Sequence, residues 1–268
     1  AHKFRIYVQK YKNKTKKPIF FANIDSFFYL CTLFWLNMTF LCIETSTKVC
    51  SAALVQDGQL VAERVNLTDG NHAQLLAGFV DQLLEQAQAS RLSIDGVALS
   101  EGPGSYTGLR IGASLAKGLC YGRNLPLYPL PTPQILAATF LRDHKVNSSA
   151  WLCPMIDARR MEVYTALYDT DLQQVSPIEA KIIDADSWQE QRKGHEIIFF
   201  GDGAMKCEQV LGGAHCSFVP DIVPLASAMG SLAERLTPEA IVKDKELAYF
   251  DPLYIKEFIP APSHVKGL

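Results

Sequence analysis

The residues Glu101-Gly102-Pro103-Gly104-Ser105-Tyr106-Thr107-Gly108 stand between a short apolar run and a helix-like run. A glycine loop in that position is a common phosphate cradle, because backbone N–H groups at a helix start point at the anion and the helix dipole favours it. The spacing fits neither standard phosphate loop. Five residues separate Gly102 from Gly108 with no Lys-Ser/Thr after them, and the glycines run GxGxxxG rather than GxGxxG. What this leaves is room for a weak anion site at the helix start. A metal centre has less support. His2, His72, His144, His195, His215 and His264 include no pair three to five residues apart, and the seven cysteines form no CxxC. Buried, reduced thiols are the plainer reading. Ser105 and Cys50 are formal nucleophile candidates, but nothing in the sequence supplies either with a base or an orienting acid.

The helix behind the loop offers another use for its glycines. Gly108, Gly112, Ala116 and Cys120 recur every four residues and form one smooth stripe of small side chains. Each interior glycine costs a helix roughly 0.8–1 kcal/mol relative to alanine. Such a stripe is expected where another backbone comes close. The approaching element could be the helix at 72–88, through Leu75, Leu76, Phe79 and Val80, or a helix of a second subunit.

These residues need a scaffold, and the pattern supplies one. Strands are predicted at 39–45, 50–56 and 59–66, the last two joined by an Asp57-Gly58 hairpin turn. A helix follows, with Asn71 as its cap and Gln74 as the capping-box partner. A buried strand at 94–100, a helix at 107–122, a strand at 125–130 and a helix from Pro131 to Leu141 complete the first half. A second hairpin at 151–169 repeats the first. Ile43-Glu44 and Ile156-Asp157 each end a strand in a carboxylate, and Ala53-Leu54 and Ala166-Leu167 follow at the same offset of 113 residues. The pattern then continues as strand, glycine turn and helix through "EIIFFGDGAMKCEQVL", with a further helix over Ser227–Leu236. A duplicated α/β lobe accounts for both halves. The lobes are expected at 38–148 and 149–268, with 1–37 a leader outside the fold.

At 268 residues, 48% hydrophobic and 20% charged, the chain reads as globular. Residues 1–37 hold seven basic side chains and one acid, so of 26 basic and 28 acidic residues the rest keeps 19 and 27, a net of −8. Such a body is unsuited to gripping nucleic acid phosphates alone. The leader's clean apolar run, Phe27–Leu36, is too short to span a bilayer. We read Met38 as the natural start of the fold; the competing reading is a membrane anchor.

The pieces "IETSTKVCSAAL", "NHAQLLAGFVDQLL", "SEGPGSYTGLRIGASLAKGL", "MIDARRMEVYTAL", "FFGDGA" and "DPLYIKEF" resemble the bacterial TsaB (YeaZ) family. The resemblance spans about residues 39–258, with Glu44 standing where the family commonly has Asp. It implies the duplicated α/β fold of actin, sugar kinases and Hsp70 (ASKHA), in two lobes. It also implies a non-catalytic partner of a homologous, TsaD-like catalytic subunit, which with a TsaE-like ATPase makes threonylcarbamoyladenosine next to the tRNA anticodon. The expected state is a cytoplasmic heterodimer that meets tRNA only through the complex, with a homodimer open to the isolated chain. The paired-histidine metal motif of the catalytic relative is absent from this sequence.

In actin-like proteins the two hairpin turns hold ATP phosphates, which calls for glycine at the point of approach. The corresponding turns here, Glu44-Thr45-Ser46-Thr47-Lys48 and Asp157-Ala158-Arg159-Arg160, contain none. Arg159 or Arg160 could hold a phosphate as a cation, although turn arginines are more often simply solvated. Gly201-Asp202-Gly203-Ala204 falls where such proteins bind adenosine, or makes a tight strand-to-helix turn. No cofactor is therefore expected, and Glu44, Thr45, Asp157, Arg159, Gly201 and Gly203 are the residues to inspect for one. The expected interface is Leu75, Leu76, Phe79, Val80, Gly108, Gly112 and Ala116. The rival reading is a small-molecule kinase or ATPase of the same fold, with a peptidase behind it.

Overall fold

The computed structural model describes residues 38–68 and 71–256. The chain divides into two units, Ala1–Leu36 and Asn37–Leu268. The leader reading thus lies outside the described residues.

The first sheet is built on β1 (Thr39–Glu44), whose six residues are all buried. The apolar run Phe40–Ile43, uninterrupted, marks a central strand covered on both faces. β2 (Cys50–Gln56) and β3 (Gln59–Asn66) extend the sheet antiparallel on one side. They are joined by Asp57 and Gly58 at φ 50° and 68°, the left-handed pair that a two-residue hairpin requires. β4 (Gly96–Gly102) and β5 (Leu127–Pro131) add parallel strands on the other side, for an order β3-β2-β1-β4-β5.

The second sheet repeats this plan. β6 (Trp151–Asp157) is central, β7 (Glu162–Thr165) and β8 (Glu179–Ile182) are antiparallel on one side, and β9 (Ile197–Phe200) and β10 (Cys216–Val219) are parallel on the other. The order β8-β7-β6-β9-β10 is that of the first sheet, strand for strand. The duplication expected from the paired carboxylates is therefore a duplication of topology.

Helices α1 (His72–Ala89) and α2 (Tyr106–Arg123) cover one face of the first sheet. Leu76, Val80 and Leu83 of α1 and Ala113 and Ala116 of α2 pack there against Leu41, Ile43, Leu54 and Leu99. Helix α3 (Thr132–Asp143) lies between the two lobes and is buried almost all round, as a helix inside a core must be. Ile135 and Ala138 face the first sheet, and Leu136 and Phe140 the second, where Phe140 stacks on Phe200 at 4.4 Å.

Three expectations change here. Asn71 is the residue before α1, but its side chain makes no cap bond; it adopts φ 64° and its carbonyl accepts from the Gln74 and Leu75 amides instead. The helix expected at 227–236 is broken into a 3-10 turn, Ala226–Ala228, and one α turn, Gly230–Ala233. The segment after the second glycine turn likewise starts as a 3-10 turn, Met205–Cys207, before a single turn at Glu208–Leu211. Moreover, the chain beyond the second sheet returns to the first lobe. Ala226, Met229, Leu232 and Ala233 pack on Phe40, Cys42, Ala53 and Val55, and Val242 pairs with Leu127. A sequence boundary at 148/149 therefore separates the sheets but not the material packed on them. Among the described residues no helix is long and apolar enough to cross a membrane.

Candidate functional site

The glycine loop is used inside the chain. Thr45 Oγ1 donates to the Gly108 carbonyl at 2.8 Å, and the Ser105 amide donates to the Ser46 carbonyl at 2.6 Å. A Cβ on Gly104 would overlap the Ser46 carbonyl oxygen, one on Gly108 the Thr45 carbonyl oxygen, and one on Gly112 the Thr45 hydroxyl. The glycines thus let the exit turn of β1 lie directly on the start of α2. At that helix start the Ser105 amide serves Ser46, and the Gly108 amide bonds the Ser105 hydroxyl at 3.3 Å as an N-cap. Two of the donors a phosphate would need are already engaged. The second nucleophile candidate is equally occupied by structure: Cys50 is fully buried, and burial pushes its thiol up to about 11.

The small-residue stripe accordingly faces inward. Gly108, Gly112 and Ala116 are buried against the turn after β1 and the first sheet, which removes them from any surface contact. Val80 is likewise core, Leu76 is 1% exposed, and Leu75 and Phe79 are half-buried. What α1 and α2 present to solvent is a different set. A groove of about 630 Å³ runs between them, floored by Leu76, Ile111 and Leu115 and rimmed by Ala73, Ala77, Tyr106, Thr107, Arg110 and Ser114. Of the residues expected at an interface, Leu76 alone lines it. The groove's alanines and serine were legible only as polar-side positions of amphipathic helices, a weak signal.

The two hairpin turns differ in kind. Glu44, at the end of β1, is fully buried and folded back on its own turn; Oε1 accepts from the Ser46 amide at 2.6 Å and the Ser46 hydroxyl at 2.5 Å, and Oε2 has no hydrogen-bond partner among the described residues. Burial raises its pKa, opposed by the Ser46 donors. Thr45 is also wholly buried. Asp157, at the end of β6, stays exposed. Its Oδ1 accepts from the Arg159 amide at 2.9 Å and from the Lys206 ammonium, and its own amide donates to Asp202 Oδ1 at 2.9 Å. Partial burial opposes ionisation of Asp157, but Lys206 and the Arg159 amide outweigh it and hold the carboxyl below its usual range. Asp202 is shifted up, by burial first. Arg159 and Arg160 take φ 73° and 51° with exposed side chains.

Gly201 and Gly203 make a tight turn against β6. Gly201 has φ 106°, and a Cβ on Gly203 would sit 2.9 Å from Val163 Cγ1 and 3.0 Å from the Ile156 carbonyl carbon. The sequence had not marked Asp202 or Lys206 as partners of Asp157; they are 45 and 49 residues away along the chain. Among the described residues no group of three or more His, Cys, Asp or Glu is placed to hold a metal ion.

Glu44 supplies a pH test. Its folded-state pKa lies above the unfolded value, so its contribution to stability is complete below the unfolded carboxylate pKa. That contribution is lost as pH rises towards the folded one. Glu44→Gln keeps an acceptor for Ser46 and cannot ionise. The melting temperature of Glu44→Gln relative to the unmodified chain is expected to be more favourable at pH 7 than at pH 4. Scanning calorimetry at both values checks this, and an equal difference at the two rejects it.

Comparison with known proteins agrees with this architecture. The family model described as TsaD, tRNA N6-adenosine threonylcarbamoyltransferase, matches residues 66–246. Curated bacterial proteins named tRNA threonylcarbamoyladenosine biosynthesis protein TsaB align with this chain. The Haemophilus influenzae protein is 33% identical over 129 residues, 48% of this chain and 52% of the relative. The Escherichia coli protein is 37% identical over 134 residues, 50% and 56%. The Bacillus subtilis protein is 29% identical over 203 residues, 74% and 82%. The chain thus spans about half the length of the first two relatives. Among solved structures, YeaZ from Pseudomonas aeruginosa superposes with a TM-score of 0.67 at 24% identity, covering 81% of this chain and 99% of that one. That likeness establishes a shared fold. By the match to the family model and the TsaB alignments together, the chain belongs to the TsaB (YeaZ) family.

Proposed function

We propose that this protein works in tRNA threonylcarbamoyladenosine formation as a non-catalytic partner, docking through the α1–α2 groove onto a TsaD-like catalytic subunit. The observation that carries the reading is the pairing of an open apolar groove with two hairpin turns whose backbone amides are engaged within the chain, those of Ser46, Asp157, Ala158 and Arg159 among them. An ATP-using enzyme of this fold needs free backbone donors at those turns. A helix pair with small, exposed side chains suits a matching pair on a homologous subunit, since alanine and serine let helices close to packing distance. In the absence of that subunit the same groove would pair two copies of the chain. A TsaE-like ATPase completes the assembly, tRNA is met only through it, and the work lies in the cytoplasm.

Two measurements test this together. The purified full chain should neither turn over ATP nor bind it in the low-micromolar range by calorimetry. When it is added to a TsaD-like subunit, a TsaE-like ATPase, their small-molecule substrates and unmodified tRNA, nucleoside mass spectrometry should show threonylcarbamoyladenosine that is absent when the chain is left out. Steady ATP turnover abolished by Asp157→Ala would instead establish the kinase or ATPase reading. Modification that proceeds equally without the chain would remove the partner role.

A further inference from the structure

We propose that the segment Phe250–Lys256 is a conformational strap that couples the rim of the α1–α2 groove to the second-lobe hairpin Asp157–Thr165. The segment follows the short helix Glu246–Tyr249 and crosses from one lobe to the other. Its first end is held on the first lobe. Lys117 of α2 donates to the Ala248 and Phe250 carbonyls, both at 2.9 Å, and the Leu253 amide donates to the Glu101 carbonyl at 2.7 Å. Gly102, at φ 113°, makes room for the strap, since a Cβ there would stand 2.8 Å from the Leu253 carbonyl oxygen.

Next, the Tyr254 ring packs on Tyr106 at 5.0 Å. Tyr106 lines the groove and accepts from Arg110, another rim residue, at 2.9 Å. The far end belongs to the second lobe. Lys256 pairs with the Glu162 carboxylate and lies 5.8 Å from the Tyr164 ring centroid. Glu162 opens β7, and its carbonyl accepts at 2.8 Å from Lys206, which also holds Asp157.

A continuous line of contacts therefore runs from groove rim to hairpin turn through seven residues. Each contact is partly exposed and individually weak. That is the condition for a segment with two states, docked and released, rather than a permanent seam. Whatever shifts Tyr106 shifts the docked population, and with it the support of the hairpin. Coupling of this kind must be reciprocal. The inference holds for any occupant of the groove and does not depend on the partner proposed above.

Hydrogen exchange on the full chain, read by mass spectrometry with residue-level fragmentation, provides the test. Tyr254→Ala alters no hairpin residue, yet it should raise exchange in residues 157–165 about twofold to fivefold, the range of a lost surface pair. Glu162→Gln, on the other lobe, should raise exchange of the Leu253 amide by a similar factor. The double swap Lys256→Glu with Glu162→Lys, with Tyr254 intact, should return Leu253 exchange towards the parent value. The proposal is overturned if Tyr254→Ala changes only the strap and α2, or if Glu162→Gln leaves Leu253 unchanged. It is also overturned if the rise is spread equally over β1 and β4, which would mark a global loss of stability.

Discussion

Gly108→Val is expected to lower the melting temperature of the isolated protein by roughly 5–15 °C. The added side chain would meet the Thr45 carbonyl oxygen, an atom of backbone that cannot swing aside as a side-chain tip can. Overpacking of this kind costs about 1–3 kcal/mol. Displacing the turn also strains the Thr45 bond to the Gly108 carbonyl, worth about 1 kcal/mol. The gain in helix propensity offsets only a few tenths of a kcal/mol. For a protein of this size each kcal/mol moves the transition by about 2–4 °C.

Gly118, in the same helix, has nothing within 4 Å of its Cβ position. Gly118→Ala should therefore raise stability, by about 0.5–1 kcal/mol. Two glycine substitutions in one helix thus have opposite signs. Thermal melts of the pair decide the matter: an unchanged melt for Gly108→Val would show that β1's exit turn does not depend on this close approach.

Ser114→Arg should do the reverse, leaving folding intact while breaking association. Ser114 is exposed on the groove rim, and Ala77 lines the same groove from α1. Exposed substitutions away from special contacts usually stay within about 0.5 kcal/mol of the parent. A long cation at the centre of a helix-packing contact removes a well-packed position and leaves a charge to be desolvated. Losses at such positions reach about 2 kcal/mol or more, which is about 30-fold or more in affinity. Titration against a TsaD-like subunit, with the melt as control, reads both effects, and Ala77→Arg should behave alike. Unchanged affinity would place the docking surface elsewhere. A lowered melting temperature would mean that the groove is filled by the chain's own packing.

Much of this protein was determined locally. Asp57-Gly58 specified a left-handed hairpin turn whatever surrounded it, the apolar spacing over 72–88 specified an amphipathic helix, and a second helix was legible over 107–122, each within a residue of the observed bounds. The paired carboxylates at the ends of β1 and β6 disclosed the duplication, because each copy keeps an Ile-carboxylate pair at the same place in one topology. Local signals failed where the deciding atom lay far along the chain. The stripe of Gly108, Gly112 and Ala116 announced a close approach but could not name what approaches, because periodicity assigns residues to a face and not a face to a neighbour. That neighbour, Thr45, is 63 residues from Gly108 and meets it only when β1 and β4 pair in parallel. The broken helix at 227–236 has the same cause. Its propensity was helical, but packing across Phe40, Cys42 and Val55 and the bonds that the Ala226 and Ser227 amides donate to the Ser51 hydroxyl and the Glu63 carboxylate set the backbone instead. Propensity is worth tenths of a kcal/mol per residue, whereas burial of a large apolar side chain is worth about 1.5–3 kcal/mol, so where the two conflict the tertiary structure decides.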